Sequence, residues 1–250
     1  MEVKKNIFDY LTIPLGKWFK VPVYLHWSWT IFFGLLLFVD LKSSSSNSVI
    51  LLGVFLIVIL HEFGHCIAAQ YYHWKVHHIY LYPIGGAAYM EFQPVPKEEL
   101  VVSAAGPLVN VLLIPFFSFL TIPFIPEPIW VKIAAVNIVI LFFNLLPIFP
   151  MDGGRLLRAT LQFKLPRLKA TLYATRIGQV CCVLLAGFGF MMGHVMLIAI
   201  SIFIALAGQS ELEAVKKAEE KNENVNLLSN SVDTLESLQA KIDKHNKKFD

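Results

Sequence analysis

Leu56-Ile57-Val58-Ile59-Leu60-His61-Glu62-Phe63-Gly64-His65-Cys66-Ile67-Ala68-Ala69 sets two histidines and a glutamate inside an apolar run covering about residues 49–71. A run of that length spans a bilayer as a helix. Ionisable side chains at such depth cost about 2.5–3.5 kcal/mol each on insertion scales and are seldom kept without a role. On a helix, positions i and i+4 share a face. His61 and His65 can therefore aim two imidazoles at one metal ion, and Glu62 beside the first can serve as general base toward a water. In a soluble helix the same pattern is often just two histidines on a polar face. A membrane-spanning helix has no polar face to hold them.

Composition agrees with a membrane reading. Of the 250 residues, 56% are hydrophobic and 16% charged, which describes a polytopic helical membrane protein rather than a soluble domain. With 21 basic and 18 acidic residues, the charge balance gives no ground for a nucleic-acid partner. Cys66, Cys181 and Cys182 lie in apolar stretches and imply no disulfide framework.

The chain is expected to divide into three parts: an interfacial amino-terminal arm (1–21), a transmembrane domain (22–208) and a charged tail (209–250). In the arm, Lys4, Lys5, Lys17 and Lys20 flank Ile7, Phe8, Tyr10, Leu11 and Trp18, suiting a headgroup boundary rather than a cleaved signal peptide. Six spans are predicted at about 23–39, 49–71, 99–125, 129–146, 171–191 and 195–207. Between the second and third, alternating segments at 76–82 and 87–92 flank Pro83-Ile84-Gly85-Gly86, a turn signal. The fold class expected is thus an all-α polytopic membrane protein with about six transmembrane helices and a small membrane-associated β-hairpin or sheet. Extended backbone at membrane depth must line a cavity or be buried in protein, so this hairpin should border the site. In the third span, Ser103-Ala104-Ala105-Gly106 suits close helix packing, and Asn110 needs a polar partner. Residues 155–171 read as a basic loop. In the tail, Val225, Leu228, Val232, Leu235, Leu238 and Ile242 recur at helical spacing, which predicts an amphipathic helix. The tail offers no evident ligand, so its removal is expected to leave a metal site intact.

Lys75, Lys97, Arg155, Arg158, Lys164, Arg167 and Lys169 fall on the same side of a six-span bundle as the amino-terminal lysines, against Lys42 and Lys132 opposite. The positive-inside rule then puts both termini in the cytoplasm. His65 lies about six residues, roughly 9 Å, from the cytoplasmic end of its helix, so the site should be intramembrane but nearer that side.

A catalytic zinc commonly takes three protein ligands and keeps one position open. His26, His73, His77, His78 and His194 could supply the third, but they fall at membrane edges or in loops. Asp152 is better placed. It follows Pro147 and Pro150 and precedes Gly153-Gly154, where a break from regular helix would let the carboxylate turn inward. The same residues also fit a plain interfacial turn with Asp152 as a helix cap. Asn144 could donate a hydrogen bond to a developing oxyanion or simply join two helices.

His61-Glu62-Phe63-Gly64-His65, Gly106-Pro107-Leu108-Val109-Asn110 and Asn144-Leu145-Leu146-Pro147-Ile148-Phe149-Pro150-Met151-Asp152-Gly153-Gly154 together resemble the three signatures of site-2 proteases, intramembrane zinc metalloproteases of regulated intramembrane proteolysis. The resemblance covers roughly residues 20–208. It implies a Zn2+ ion held by His61, His65 and Asp152, with Glu62 as catalytic base. It also implies a substrate-facing role for Asn144 and the Pro83-Gly85-Gly86 segment. The substrates implied are transmembrane proteins such as anti-sigma factors, tethered transcription factors or remnant signal peptides, in a prokaryotic cell membrane. The expected form is compact, without a PDZ insertion or a CBS pair, so regulation would use the tail, a membrane partner or substrate supply. Two other classes compete. A zinc transporter or sensor would need further mid-span carboxylates along a path. An inactive homologue that only binds membrane proteins would have no need of Glu62.

Overall fold

The structure, a computed structural model, describes residues 12–43, 47–82, 85–90, 95–119 and 127–246. Two strands, β1 (Thr12–Trp18) and β2 (Val21–His26), precede a helical pair, α1 (Ser28–Ser43) and α2 (Asn47–Tyr71). Next come β3 (Val76–Tyr82) and β4 (Gly85–Met90), then α3 (Pro96–Phe119) and α4 (Glu127–Leu145). The short helix α5 (Asp152–Gln162) leads to α6 (Arg167–Met191) and α7 (Val195–Asn246).

Residues 120–125, in the third predicted span, lie outside the described residues, and among the described ones each of the six spans falls on a helix. Four of them, Asn47–Tyr71, Pro96–Phe117, Arg167–Met191 and Val195–Asn224, are long and apolar enough to cross a membrane, and Ile129–Leu145 is a shorter apolar helix. Side chains such as Phe32, Leu35, Leu112, Phe142, Leu184 and Phe203 are exposed on the bundle. That is the surface expected of an integral membrane protein, whose lipid-facing residues have no reason to be polar.

The helix ends are settled locally. Asp40 accepts from the backbone N–H groups of Asn47 at 3.1 Å and Ser48 at 2.7 Å, satisfying donors of the first turn of α2. At the other end of α2, His73 takes a left-handed φ of 60° while Trp74 N–H donates to Ala69 O and His73 N–H to Gln70 O. This is a Schellman closure. Gly193 does the same after α6, with φ 69°.

The sheet has the order β1-β2-β3-β4. β1–β2 and β3–β4 are antiparallel hairpins, whereas β2 and β3 run parallel with Tyr24 opposite Tyr80. Parallel neighbours need a crossover, and the α1–α2 pair provides it. One face of the sheet, through Val21, Val23, Ile79 and Leu81, packs on Ile59, Phe63 and Cys66 of α2. The strands thus lie directly on the helix that carries His61 and His65.

Three sequence expectations change. The described part of the arm is strand β1 rather than an isolated interfacial segment, because its apolar residues pair with β2; residues 1–11 lie outside the described residues. The first span begins at Ser28, not at residue 23, since Val23 to His26 complete β2. The basic loop at 155–171 is largely helix: its Leu156, Leu157 and Ala159 alternate with Arg155, Arg158 and Thr160 at amphipathic spacing, and α5 results. At the carboxy-terminal end, the last span and the helical part of the tail are one continuous helix, α7.

Candidate active site

In α2, His61 and His65 stand one turn apart, both buried, with rings 4.7 Å apart. α3 crosses directly against them. His65 Nδ1–H donates to the carbonyl of Val102 at 2.7 Å. His61 Nδ1 is bonded to Asn110 Oδ1. Asn110 is fully buried and is itself fixed: its Nδ2 donates to Asn137 Oδ1 at 2.8 Å, and Asn137 Nδ2 donates back to Asn110 O at 3.0 Å. The polar partner that Asn110 required is therefore double, His61 on α2 and Asn137 on α4.

Gly106 does not serve general helix packing as expected from its neighbours. A Cβ built there would stand 2.2 Å from His65 Nε2 and 2.6 Å from His61 Nε2. The missing side chain is the room in which the two imidazoles sit.

The third group arrives from the α4–α5 connection. Leu146 to Met151 form an irregular turn that contains a cis Phe149–Pro150 bond, and Asp152 is the first residue of α5. So the break falls just before Asp152, which opens a helix instead of lying in a loop. The glycines after it are there for contact rather than for turning. A Cβ on Gly153 would meet Leu146 O at 2.2 Å, and one on Gly154 would meet the Ile148 carbonyl carbon at 2.7 Å. They let the start of α5 press onto the turn and bring Asp152 inward. Its Oδ2 lies 3.1 Å from His61 Nε2 and 3.2 Å from His65 Nε2, and those two nitrogens are 3.0 Å apart.

These three atoms form a donor set that suits a metal ion. With both Nδ1 atoms donating to oxygen, each neutral imidazole turns an Nε2 lone pair toward the other and toward a carboxylate. Three electron-pair donors facing one another in a buried place repel unless a cation lies among them. Ligands bonded tetrahedrally to zinc at 2.0–2.1 Å are spaced about 3.3 Å apart, close to the separations found. Among the described residues, His61, His65 and Asp152 are the group able to hold such an ion.

Glu62, half-buried, lies under β4: a Cβ on Gly86 would meet its Cγ at 2.4 Å and Oε1 at 2.8 Å. Gly86, singled out as part of a turn, is instead a strand residue without which the carboxylate would have no space. Asn144, half-buried near the end of α4, makes no hydrogen bond to the trio among the described residues. The other histidines lie apart from it. His26 Nδ1 is 2.7 Å from Ser28 Oγ, His73 closes α2, and His78 packs against Tyr24 and Tyr80. His77 and His194 are exposed.

A family model described as peptidase family M50 matches residues 49–127 and 121–185. The matched stretch holds both histidines, Glu62 and Asp152.

The chain belongs to peptidase family M50.

A solved member similar to it is the site-2 protease from Methanocaldococcus jannaschii, with 33% identity and a TM-score of 0.58 over 80% of this chain and 95% of that one. A zinc metalloprotease of the same archaeon is 34% identical over 82% of this chain and 62% of its own length. Stage IV sporulation protein FB of Bacillus subtilis is 35% identical over 54% of this chain and 48% of its own length. The chain thus matches about half to three fifths of the length of these curated relatives.

Asn137, the Val102 carbonyl and the Gly106 cradle were not assigned to the site from sequence. A usable signal existed for Asn137. It and Asn110 are asparagines in the middle of two apolar spans, and each needs the partner that the other provides.

Proposed function

We propose that this M50 chain is an intramembrane zinc metalloprotease that hydrolyses peptide bonds in or near the transmembrane segments of membrane proteins, as in regulated intramembrane proteolysis. The observation carrying this reading is the convergence of His61 Nε2, His65 Nε2 and Asp152 Oδ2 within a bundle of membrane-length helices, beside a carboxylate that is not part of the trio. In this reading His61, His65 and Asp152 hold the zinc, and Glu62 is the base. The metal supplies a Lewis acid that polarises the scissile carbonyl and makes water acidic enough to attack near neutral pH.

The chain's own residues do the rest. Asn110 and Val102 O hold the imidazoles by their Nδ1 atoms, so that the Nε2 atoms stay turned inward. Glu62 takes a proton from the attacking water and passes it to the leaving amide nitrogen. The water oxygen ends in the new carboxylate and the new amine leaves with the proton. Asn144 donates a hydrogen bond to the carbonyl oxygen as it gains charge. A helical peptide bond is shielded by its own ladder, so the substrate must be extended. β4 is one of the two edge strands of the sheet and the one that passes over Glu62, which supports strand addition there.

The substrate class is single-span membrane proteins, for example anti-sigma factors, tethered transcription factors or remnant signal peptides. The lysine and arginine distribution supports cytoplasmic termini and a site nearer the cytoplasmic side. The archaeal and bacterial relatives support a prokaryotic cell membrane.

The test compares wild type with Glu62→Gln, purified and assayed for zinc content and for cleavage of co-reconstituted single-span substrates. Zinc kept and cleavage lost in the variant is the expected result. Cleavage at the wild-type rate would remove Glu62 as the base. Zinc bound without cleavage by wild type, against a substrate that a related protease cuts, would favour a binding homologue instead.

A further inference from the structure

Six residues beyond Asp152, α5 buries a guanidinium. Arg158 is 2% exposed, and its Nε donates to Glu99 Oε1 at 2.8 Å, with Nη2 on the same oxygen. Its Nη1 donates to Glu211 Oε1 at 2.7 Å. Gln162 Nε2, one turn further on, donates to Glu99 Oε2 at 2.8 Å. The guanidinium carbon also lies 5.0 Å from the centroid of the Phe149 ring, within the turn that delivers Asp152.

One side chain of α5 therefore touches three other parts of the molecule, and each bears on the trio. Phe149 belongs to the turn before Asp152, and Arg158 itself to the helix that begins with Asp152. Glu99 is three residues before Val102, the α3 residue whose carbonyl holds His65. Glu211 belongs to α7, which also backs the turn: a Cβ on Gly208 would sit 3.6 Å from Phe149 O.

A buried ion pair is poor evidence of stabilisation, because apolar residues of like volume often do as well. What a planar guanidinium fork adds is geometric specificity, since its donors point in fixed directions. We propose that Arg158 is a positioning residue for the metal centre, which sets the Asp152 carboxylate against the two imidazoles and, through Glu211, makes the seating of α7 part of that setting. This rests on the reading of His61, His65 and Asp152 as metal ligands. α7 is one helix as far as Asn246, so whatever holds or displaces its distal part acts on Glu211. The tail still supplies no ligand, but under this proposal its first turns bear on how the ligands are set.

The experiment uses the full-length protein in detergent, loaded with zinc. It measures the rate of zinc loss to excess chelator and the visible absorption of the cobalt-substituted form, which reports ligand geometry. Glu211→Gln is the principal variant, because the Glu211 side chain is 36% exposed and its neutral isostere should fold. Arg158→Lys keeps the charge but loses the fork. Val215→Ala, at a buried apolar side chain of α7 that can make neither a hydrogen bond nor an ion pair, serves as the packing control.

Glu211→Gln and Arg158→Lys should each speed zinc loss by about tenfold, the lower range for groups that orient metal ligands, and both should shift the cobalt spectrum. Val215→Ala should lower the unfolding temperature and move neither readout. Wild-type zinc loss in Glu211→Gln overturns the link to α7. Wild-type loss in both variants, or equal acceleration in Val215→Ala, overturns the role of Arg158 while the metal site stands. Failure of wild type to take up zinc overturns both readings together.

Discussion

His61 and His65 come from one unbroken helix, whereas Asp152 comes from the first residue after a turn that interrupts the chain between α4 and α5. The histidine half needs little beyond the helix itself: a four-residue spacing puts both rings on one face, and α3 adds an acceptor for each Nδ1. The aspartate half depends on tertiary structure at every step. Two glycines let α5 approach the turn, α6 and α7 cover it from behind, and Arg158 ties it to α3. A short-range pattern thus supplies two ligands, and long-range packing supplies the third.

Glycine-to-alanine changes in the two halves should break this contrast most sharply if it is wrong. Gly106→Ala puts a Cβ 2.2 Å from His65 Nε2, and that ring cannot turn away without losing its bond to Val102 O. Metal affinity should fall by about a hundredfold, the upper range for changes beside metal ligands, with little change in unfolding temperature. Gly153→Ala sets its Cβ 2.2 Å from a backbone oxygen instead. It should cost about 1–3 kcal/mol of stability, as overpacking does, along with the metal. Equal melting behaviour in the two variants would show that both halves depend on packing alike.

Asn110→Ala sharpens the picture of the histidine half. It removes the acceptor for His61 Nδ1–H and should weaken zinc binding by about tenfold, read by chelator competition; unaltered affinity would mean that helix geometry alone holds the ring. The smallest effect is expected far from the site. Asp40→Ala removes the cap of α2 and should cost about 1 kcal/mol in reversible unfolding, without altering zinc content. Loss of zinc there would show that His61 and His65 are sensitive to fraying at the distant end of their helix.

What could be read from the sequence follows the same division. The α2 helix, its paired imidazoles and the 76–90 hairpin are periodic features, and periodicity is visible in a single chain. Asp152 was legible as a break between prolines and glycines, and the signature around it resembled a family. That it both opens a helix and turns inward was not legible, since the cap and the ligand stood as alternatives and Gly153 and Gly154 look the same whether they serve a turn or a contact. β1 and the pairing of β2 with β3 were missed for a related reason. Val21 and Val23 continue the apolar pattern of the segment after them, and only their partners across the chain distinguish strand from helix. The Arg158 network was hidden because a basic residue among other basic residues gives no sign of burial.

The parallel pairing of β2 with β3 bears on how such a chain enters a membrane. Val23 is bonded in register with Ile79, and the whole of α1 and α2 lies between them. A polypeptide that leaves one face of a bilayer at β2 must come back to that face to make β3, so the excursion between them contains an even number of crossings. During synthesis the β1–β2 hairpin emerges first, and Val21 and Val23 find most of their packing partners, Ile59, Phe63, Ile79 and Leu81, only when α2 and β3 follow. The sheet can therefore close only after the histidine-bearing helix has brought the chain back to the face it left.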